Sequence, residues 1–293
     1  MTLDTLRDAI TQALGAPSPL TAIAGGDESA AYGFDCDGQA FIARVSASAR
    51  GFRKDRLIQQ RHGGVLPIPV IRAIVPLGQA EWLCISERAE GTTLQDTEAA
   101  DVARACAGVA AVLRDIGSID MADAGGFGWL DQAGRAQMPS WRHFLGAVAD
   151  PVHYDWARIA DRGPADKPGA LLARLQELAA PCPEKACLVH GDFGSSNVLC
   201  ADGNVTAVID WSEALVGDPL YDVANLVFWR GWLDCMEQQA QFYEQYAPAA
   251  LGDPDVLDCY MLRIGLQRLF EAVREGDRKV ADWLLARCVA IAG

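Results

Sequence analysis

The chain is poor in lysine and histidine. Lys54, Lys167, Lys185 and Lys279 are its only lysines among 293 residues, and it has four histidines. Any anion that it binds must therefore be held mainly by arginine. No Gly-Lys dipeptide occurs, so there is no Walker A loop, and the H-E-x-x-H and G-x-S-x-G patterns are also absent. The formal net charge of −14 excludes the basic surface that nucleic acid requires. The nine cysteines form no C-x-x-C pair and match no zinc spacing, so free thiols in a reducing compartment are expected. No apolar run approaches the roughly 20 residues of a membrane-spanning helix. Met1-Thr2-Leu3-Asp4 lacks the basic region and apolar run of a secretory leader. These absences predict a cytoplasmic protein with no nucleic-acid or membrane partner, and a monomer is the simplest expectation.

What is present supports a substantial core, with 51% hydrophobic and 22% charged residues. The length fits one large domain or two modest ones. The acidic balance suits attraction of a cationic small molecule, and it equally suits plain solubility.

Along the chain the texture changes once. Residues 3–14 read as a short amphipathic helix. Ile23 to Phe34 reads as strand, tight turn, strand, with Gly25-Gly26 in the turn. Paired glycines let backbone amides approach phosphates, although such a turn is also an ordinary hairpin. A further hairpin around Cys36-Asp37-Gly38 ends in Phe41-Ile42-Ala43-Arg44-Val45. Arg44 is either a bidentate phosphate ligand or a surface cation on an alternating strand. Arg53-Lys54-Asp55-Arg56 reads as a helix start, and Leu66-Pro67-Ile68-Pro69 as a rigid extended segment. Trp82 to Ser86 reads as a buried strand, and a hinge is expected at about residues 86–91. Beyond it, Val102, Val109, Val112, Leu113 and Ile116 recur at helical spacing, as do Leu171 to Leu178 and Val256 to Val273. Asp218 and Pro219 mark a helix start. The fold class expected is α+β and bilobal. A β-rich N-terminal lobe (1–88) precedes a mainly helical C-terminal lobe (89–293) that carries the catalytic loop.

The chemistry is concentrated in His190-Gly191-Asp192-Phe193-Gly194-Ser195-Ser196-Asn197 and Ile209-Asp210-Trp211. An Asp stands five residues before an Asn, and a second Asp follows thirteen residues later. A protein-kinase-like fold uses this pattern for one catalytic base and two magnesium ligands. Gly191 stands where protein kinases carry Arg. Between the two clusters, Val198 to Cys200 and Val205 to Ile209 read as strands around the turn Ala201-Asp202-Gly203-Asn204. A two-residue loop at Gly203-Asn204 would pair 198 with 209 and 197 with 210. Asn197 and Asp210 would then face one cation, whereas a loop at Asp202-Gly203 would not give this pairing. The role candidates are Asp192 as catalytic base, and Asn197 and Asp210 as Mg2+ ligands. Gly25, Gly26, Ser29, Arg44, Ser86 and Arg88 are the candidates for the nucleotide. His190 and Asp218 fit bracing roles.

These residues, with Gly217-Asp218-Pro219 and Asp222, resemble the aminoglycoside phosphotransferases, and the similarity runs over nearly the whole chain. The resemblance implies transfer of the γ-phosphate of ATP, with GTP left open, to a hydroxyl of a cationic aminoglycoside. Within the family it points to hygromycin B and to antibiotic resistance. It favours Trp229 and Trp232 as sugar-stacking faces over their default as core packing. Ser196, Glu213 and Glu237 are the further candidate contacts to the drug. The family's phosphate-binding Lys is replaced by Arg44, and Asp55 is only a weak candidate for its partner acid. The alternative is a kinase of another small alcohol on the same fold, such as another aminoglycoside, a macrolide, choline or homoserine.

Overall fold

The computed structural model describes residues 2–23, 30–159 and 167–293. Gly25, Gly26 and Ser29 fall outside them. The first helix, α1 (Leu3–Ala13), is capped by the Thr2 hydroxyl and buries Leu6 and Ile10. It lies on an antiparallel sheet of β1 (Thr21–Ile23), β2 (Ala30–Cys36), β3 (Gln39–Ser46), β4 (Ile71–Leu77) and β5 (Glu81–Glu87), with α2 (Arg50–His62) inserted after β3. The spatial order is β1-β2-β3-β5-β4. Along β3 the buried residues Phe41, Ala43 and Val45 alternate with half-exposed ones, as a strand with one covered face requires. With Leu6, Ile10, Phe34, Leu83 and Ile85 they form a separate small core.

After β5 the chain crosses to the helical part through residues 88–91. Gly91 has φ +93°, and a Cβ there would lie 2.0 Å from the Cys200 carbonyl oxygen. Only glycine lets the connecting segment pass this close to the backbone at Cys200. Then follow β6 (Thr92–Thr93), α3 (Ala99–Gly117), β7 (Gly128–Trp129), α4 (Trp141–Gly146), α5 (Trp156–Ile159), α6 (Lys167–Ala179), β8 (Cys187–Val189), β9 (Val198–Ala201), β10 (Asn204–Val208), β11 (Leu215–Gly217), α7 (Leu220–Phe228), α8 (Asp234–Tyr246), α9 (Pro254–Glu275) and α10 (Arg278–Ala292). The two-residue strand β7 lies beside β11.

The centre of this part is α9. Asp253 caps it, Pro254 opens it and Gly276 closes it in the left-handed conformation. Its residues from Val256 to Val273 are buried on nearly every side, because α6, α7 and α10 pack around it. The large core that results is separate from the sheet's core. All nine cysteines are free thiols, and eight of them are buried.

The hairpin of β9 and β10 departs from the expected register. Its loop is Asp202-Gly203, with Asn204 opposite Ala201. Both loop residues have positive φ, 50° and 76°, the demand of a type I′ turn that Asp-Gly meets well. An irregularity between Val205 and Ala207 then moves the ladder by one residue, pairing Val208 with Val198. Asn197 therefore lies opposite Ile209, whose N–H donates to the Asn197 carbonyl at 2.9 Å. Asp210 lies one residue beyond the predicted pairing.

Candidate active site

The loop from His190 to Asn197 is held from below. The Asp222 carboxylate, buried in α7, accepts from the backbone N–H groups of His190 and Gly191 at 2.8 and 2.9 Å. Burial pushes this carboxyl up, and His190 with the two N–H groups pulls it back. Asn225, one turn further along α7, donates to the Phe193 carbonyl at 2.8 Å. The fully buried His190 ring joins the two halves of the site. Its Nδ1 accepts from the Asp192 N–H at 3.3 Å, and its Nε2 lies 3.1 Å from the Ile209 carbonyl. This places the Nε2–H as donor and His190 as a brace.

Gly191 has φ +85°, and a Cβ there would sit 2.3 Å from the Glu213 carbonyl oxygen. The arginine of protein kinases cannot fit this position without moving the 211–213 turn, which accounts for the glycine in His190-Gly191-Asp192.

Asn197 has its amide group committed. Its Nδ2 donates to the Asp192 carbonyl at 2.8 Å and to Asp192 Oδ2 at 3.0 Å. Its Oδ1 receives only a long contact from the Ser196 hydroxyl, 3.5 Å. Asp210 adopts φ 59° and its Oδ1 accepts from the Ser212 N–H at 3.3 Å. Asn197 Oδ1 and the Asp210 carboxylate are hard oxygen donors, the chemistry that Mg2+ selects.

The sheet contributes Arg44 from β3. Its Nη2 donates to Asp55 Oδ2 on α2 at 2.5 Å, and Asp55 Oδ1 accepts from the Trp211 N–H at 2.8 Å. Asp55 is thus the partner acid, and it ties strand, helix and the turn after Asp210 together. Burial alone would lower the Arg44 guanidinium, but Asp55, Cys84 and Asp210 hold it above its ordinary value. Lys54, beside it on α2, is pushed down by burial although Glu213 and Asp55 oppose the shift. Ser86 is buried on β5 opposite Ile42, while Arg88 is exposed beyond its end.

The candidates for the drug divide into two groups. Glu213 follows Asp210 and lines a pocket with Trp129, Gly191, Gln267 and Arg268. Burial pushes its carboxyl up, and Lys54 and Arg268 moderate the shift. Trp229 and Trp232 instead gather on Trp283 of α10, at 5.4 Å with rings 6° apart and at 5.0 Å respectively. Both are half-buried, so each has one face packed and part of its surface open. Glu237 on α8 is bound by Arg230, Nη2 to Oε1 at 2.9 Å. Sequence reasoning missed Arg268, whose Nη2 donates to Asp192 Oδ1 at 2.9 Å, and Gln267 beside it. Both sit on a helix whose pattern signals only core.

A β-sheet part, a helical part and a loop that carries the Asp192 carboxylate beside two further oxygen donors match the design of a protein-kinase-like bilobal phosphotransferase. Residues 20–260 match the phosphotransferase enzyme family (APH), and the chain belongs to it. It is 41% identical over 275 residues to hygromycin-B 4-O-kinase of Escherichia coli, covering 94% of this chain and 80% of that one. A thermostable mutant of aminoglycoside phosphotransferase APH(4)-Ia, solved as a ternary complex with AMP-PNP and hygromycin B, superposes with a TM-score of 0.92. It shares 40% identity, and 98% of each chain is covered. The macrolide 2'-phosphotransferase MphH of Brachybacterium faecium shares the fold at a TM-score of 0.62 and 18% identity, over 98% of this chain and 97% of that one.

Proposed function

We propose that this protein transfers the γ-phosphate of ATP to a hydroxyl of hygromycin B and so confers resistance to it. The observation that carries the proposal is the Asp192 carboxylate, fixed on both oxygens at the mouth of the loop. It is joined by the likeness to a hygromycin-B kinase along 94% of the chain. Asp192 accepts the hydrogen of the attacking hydroxyl and aims its oxygen at the phosphorus. Asn197 Oδ1 and Asp210 would hold Mg2+, which when bound neutralises charge on the phosphates. Arg44, kept charged and oriented by Asp55, faces the nucleotide, with Ser86 and Arg88 beside the adenine. Gly25, Gly26 and Ser29 complete this set as sequence candidates outside the described residues. The division between lobes falls at residues 88/89.

Glu213 and Ser196 supply polar contacts, and the open surfaces of Trp229 and Trp232 offer sugar-stacking faces. An acidic lining attracts the ammonium groups of the drug. The Glu237 carboxylate serves it only if Arg230 releases an oxygen. Among the described residues no helix is long and apolar enough to cross a membrane. A cytoplasmic monomer that binds no nucleic acid is the form we infer, because the antibiotic and ATP meet there.

The test is release of ADP from Mg-ATP across hygromycin B, kanamycin, spectinomycin, a macrolide and choline. Selective turnover of hygromycin B is expected, with product NMR placing the phosphate on the 4-hydroxyl. Turnover of another alcohol with none of hygromycin B overturns the substrate and keeps the phosphotransferase.

A further inference from the structure

Arg268 lies outside every motif of the chain, yet it reaches the catalytic loop from α9. Its Nη2 donates to Asp192 Oδ1 at 2.9 Å and its Nη1 to Glu271 Oε2 at 3.0 Å. Glu271 Oε1 in turn accepts from Gln267 Nε2 at 3.0 Å, and Gln267 Oε1 accepts from Arg263 Nη1 at 2.8 Å. The residues are three or four apart, so they form one row along the helix. The far end of the row is anchored. Arg263 is fully buried, its guanidinium 4.7 Å from the Phe144 ring centroid and 5.6 Å from that of Trp129. The near end is the carboxylate that Asn197 grips by its other oxygen at 3.0 Å.

We propose that Arg268 is a positioning residue for phosphoryl transfer, and that the Arg263–Gln267–Glu271 row holds it in register with Asp192. The proposal rests on the assignment of Asp192 as the group that orients the acceptor hydroxyl. A guanidinium is planar, permanently charged and rigid in its donor directions. With one nitrogen fixed by Glu271, the other fixes the plane of the Asp192 carboxylate, and Asn197 fixes its rotation. Burial opposes the Arg268 charge, but Asp192, Glu271 and Glu213 together hold it above the ordinary arginine range. The cation therefore does not switch off, and Asp192 stays an aimed hydrogen-bond acceptor beside the incoming phosphate. A lysine would keep the charge and lose the two-ended grip.

The experiment compares wild type with Arg268→Gln, Arg268→Lys and Glu271→Gln by steady-state kinetics, with and without added guanidinium. Arg268→Gln is expected to lower kcat by about 10²-fold, the usual cost of a small misplacement at a reacting centre, with the KM for ATP unchanged. Guanidinium is expected to return about tenfold of that loss, while Arg268→Lys stays impaired because point charge alone does not restore the fork. A kcat close to wild type in Arg268→Gln overturns the proposal. So does a loss that guanidinium leaves untouched and that follows a lowered melting temperature. If wild type phosphorylates none of the antibiotics, the substrate assignment fails by itself. The positioning claim is then decided by a crystal structure of Arg268→Gln. An Asp192 side chain turned away from Asn197 supports it, and an unmoved one overturns it.

Discussion

Two of the arginine–aspartate pairs in this molecule, Arg44–Asp55 and Arg268–Asp192, differ in what surrounds them. In the sheet lobe, Arg44 and Asp55 are shielded, with side chains 19% and 5% exposed. In the helical lobe, Arg268 and Asp192 are 32% and 37% exposed. The first pair spends both carboxylate oxygens inside the protein, one on Arg44 and one on the Trp211 N–H. Burial pushes the Asp55 carboxyl up and Arg44 pulls it back, while Asp55 holds the Arg44 guanidinium above its ordinary value, so each buried charge depends on the other. The second pair is partly open, with Arg268 on the wall of the pocket that Glu213 lines. Its oxygens are aimed by Arg268 and Asn197 and remain within reach of a ligand. The same two kinds of side chain are thus enclosed as a strut in one place and left partly open to a ligand in the other. Burial decides which.

The sharpest break in the comparison is Asp192→Ala. Transfer is expected to fall by about 10²–10⁴-fold, the range for losing a positioned base. Nucleotide affinity is expected to stay near wild type, because Asp192 is not among the groups that face ATP. Calorimetric titration with an ATP analogue, run beside the kinetic assay, separates the two. Retained turnover would remove Asp192 from its role.

Asp55→Ala strikes the strut instead. It leaves the Arg44 guanidinium buried without its counter-ion and the Trp211 N–H without its acceptor. Breaking a buried pair from one side costs about 3–5 kcal/mol, which urea unfolding reads directly. Arg268→Gln, breaking the more exposed pair, is expected to cost no more than about 1 kcal/mol of stability. If the two variants lose equal stability, the contrast between the enclosed strut and the partly open pair is wrong.

One member of each pair could be read from the sequence, and its partner only weakly or not at all, for definite reasons. Asp192, Asn197 and Asp210 lie within nineteen consecutive positions, so local spacing alone brought them to one loop and hairpin. Arg44 could be placed because strand alternation is local, and Asp55 only weakly, because its partner sits on a different element. The partners Arg268 and Asp192 are 76 residues apart. The periodicity of α9 marks it as a core helix, and nothing in that pattern shows one polar row reaching the site. The hairpin register was misread because Asp202-Gly203, with both residues at positive φ, takes the turn, and an irregularity near Thr206 then restores part of the offset. Bulges follow from packing around the strands more than from the residue that bulges.

A finer test uses Glu213, which lies between the two pairs and feels Lys54 from one side and Arg268 from the other. Burial first, and Asp192 and Glu271 after it, raise its carboxyl above the ordinary value of 4.5. A raised carboxyl loses its negative charge at a higher pH as acid is added. The KM for hygromycin B is therefore expected to rise as pH falls towards that raised value, before free glutamates titrate. Glu213→Gln should remove this limb and raise KM at neutral pH by about tenfold or more, the worth of a charged hydrogen bond. An unchanged pH profile in Glu213→Gln would take Glu213 out of the substrate site.

The smallest effect belongs to Arg230 and Glu237, whose side chains, 26% and 31% exposed, are about as open as those of Arg268 and Asp192. Arg230 binds Glu237 at 2.9 Å and also Glu244, at the surface of α8. The hydrogen bonds from Arg230 hold the Glu237 carboxyl below its ordinary value of 4.5. A depressed carboxyl stabilises the fold above its unfolded pKa, and that contribution disappears as pH falls through the folded one. Glu237→Gln is expected to cost at most about 1 kcal/mol at neutral pH and nothing in strong acid. Thermal unfolding between pH 7 and pH 3 checks both limits. If Glu237→Gln instead raises the KM for the drug without moving the unfolding curve, Glu237 belongs with Asp192 among the groups that face a ligand. Exposure alone would then be a poor guide to which arginine–carboxylate pairs are structural.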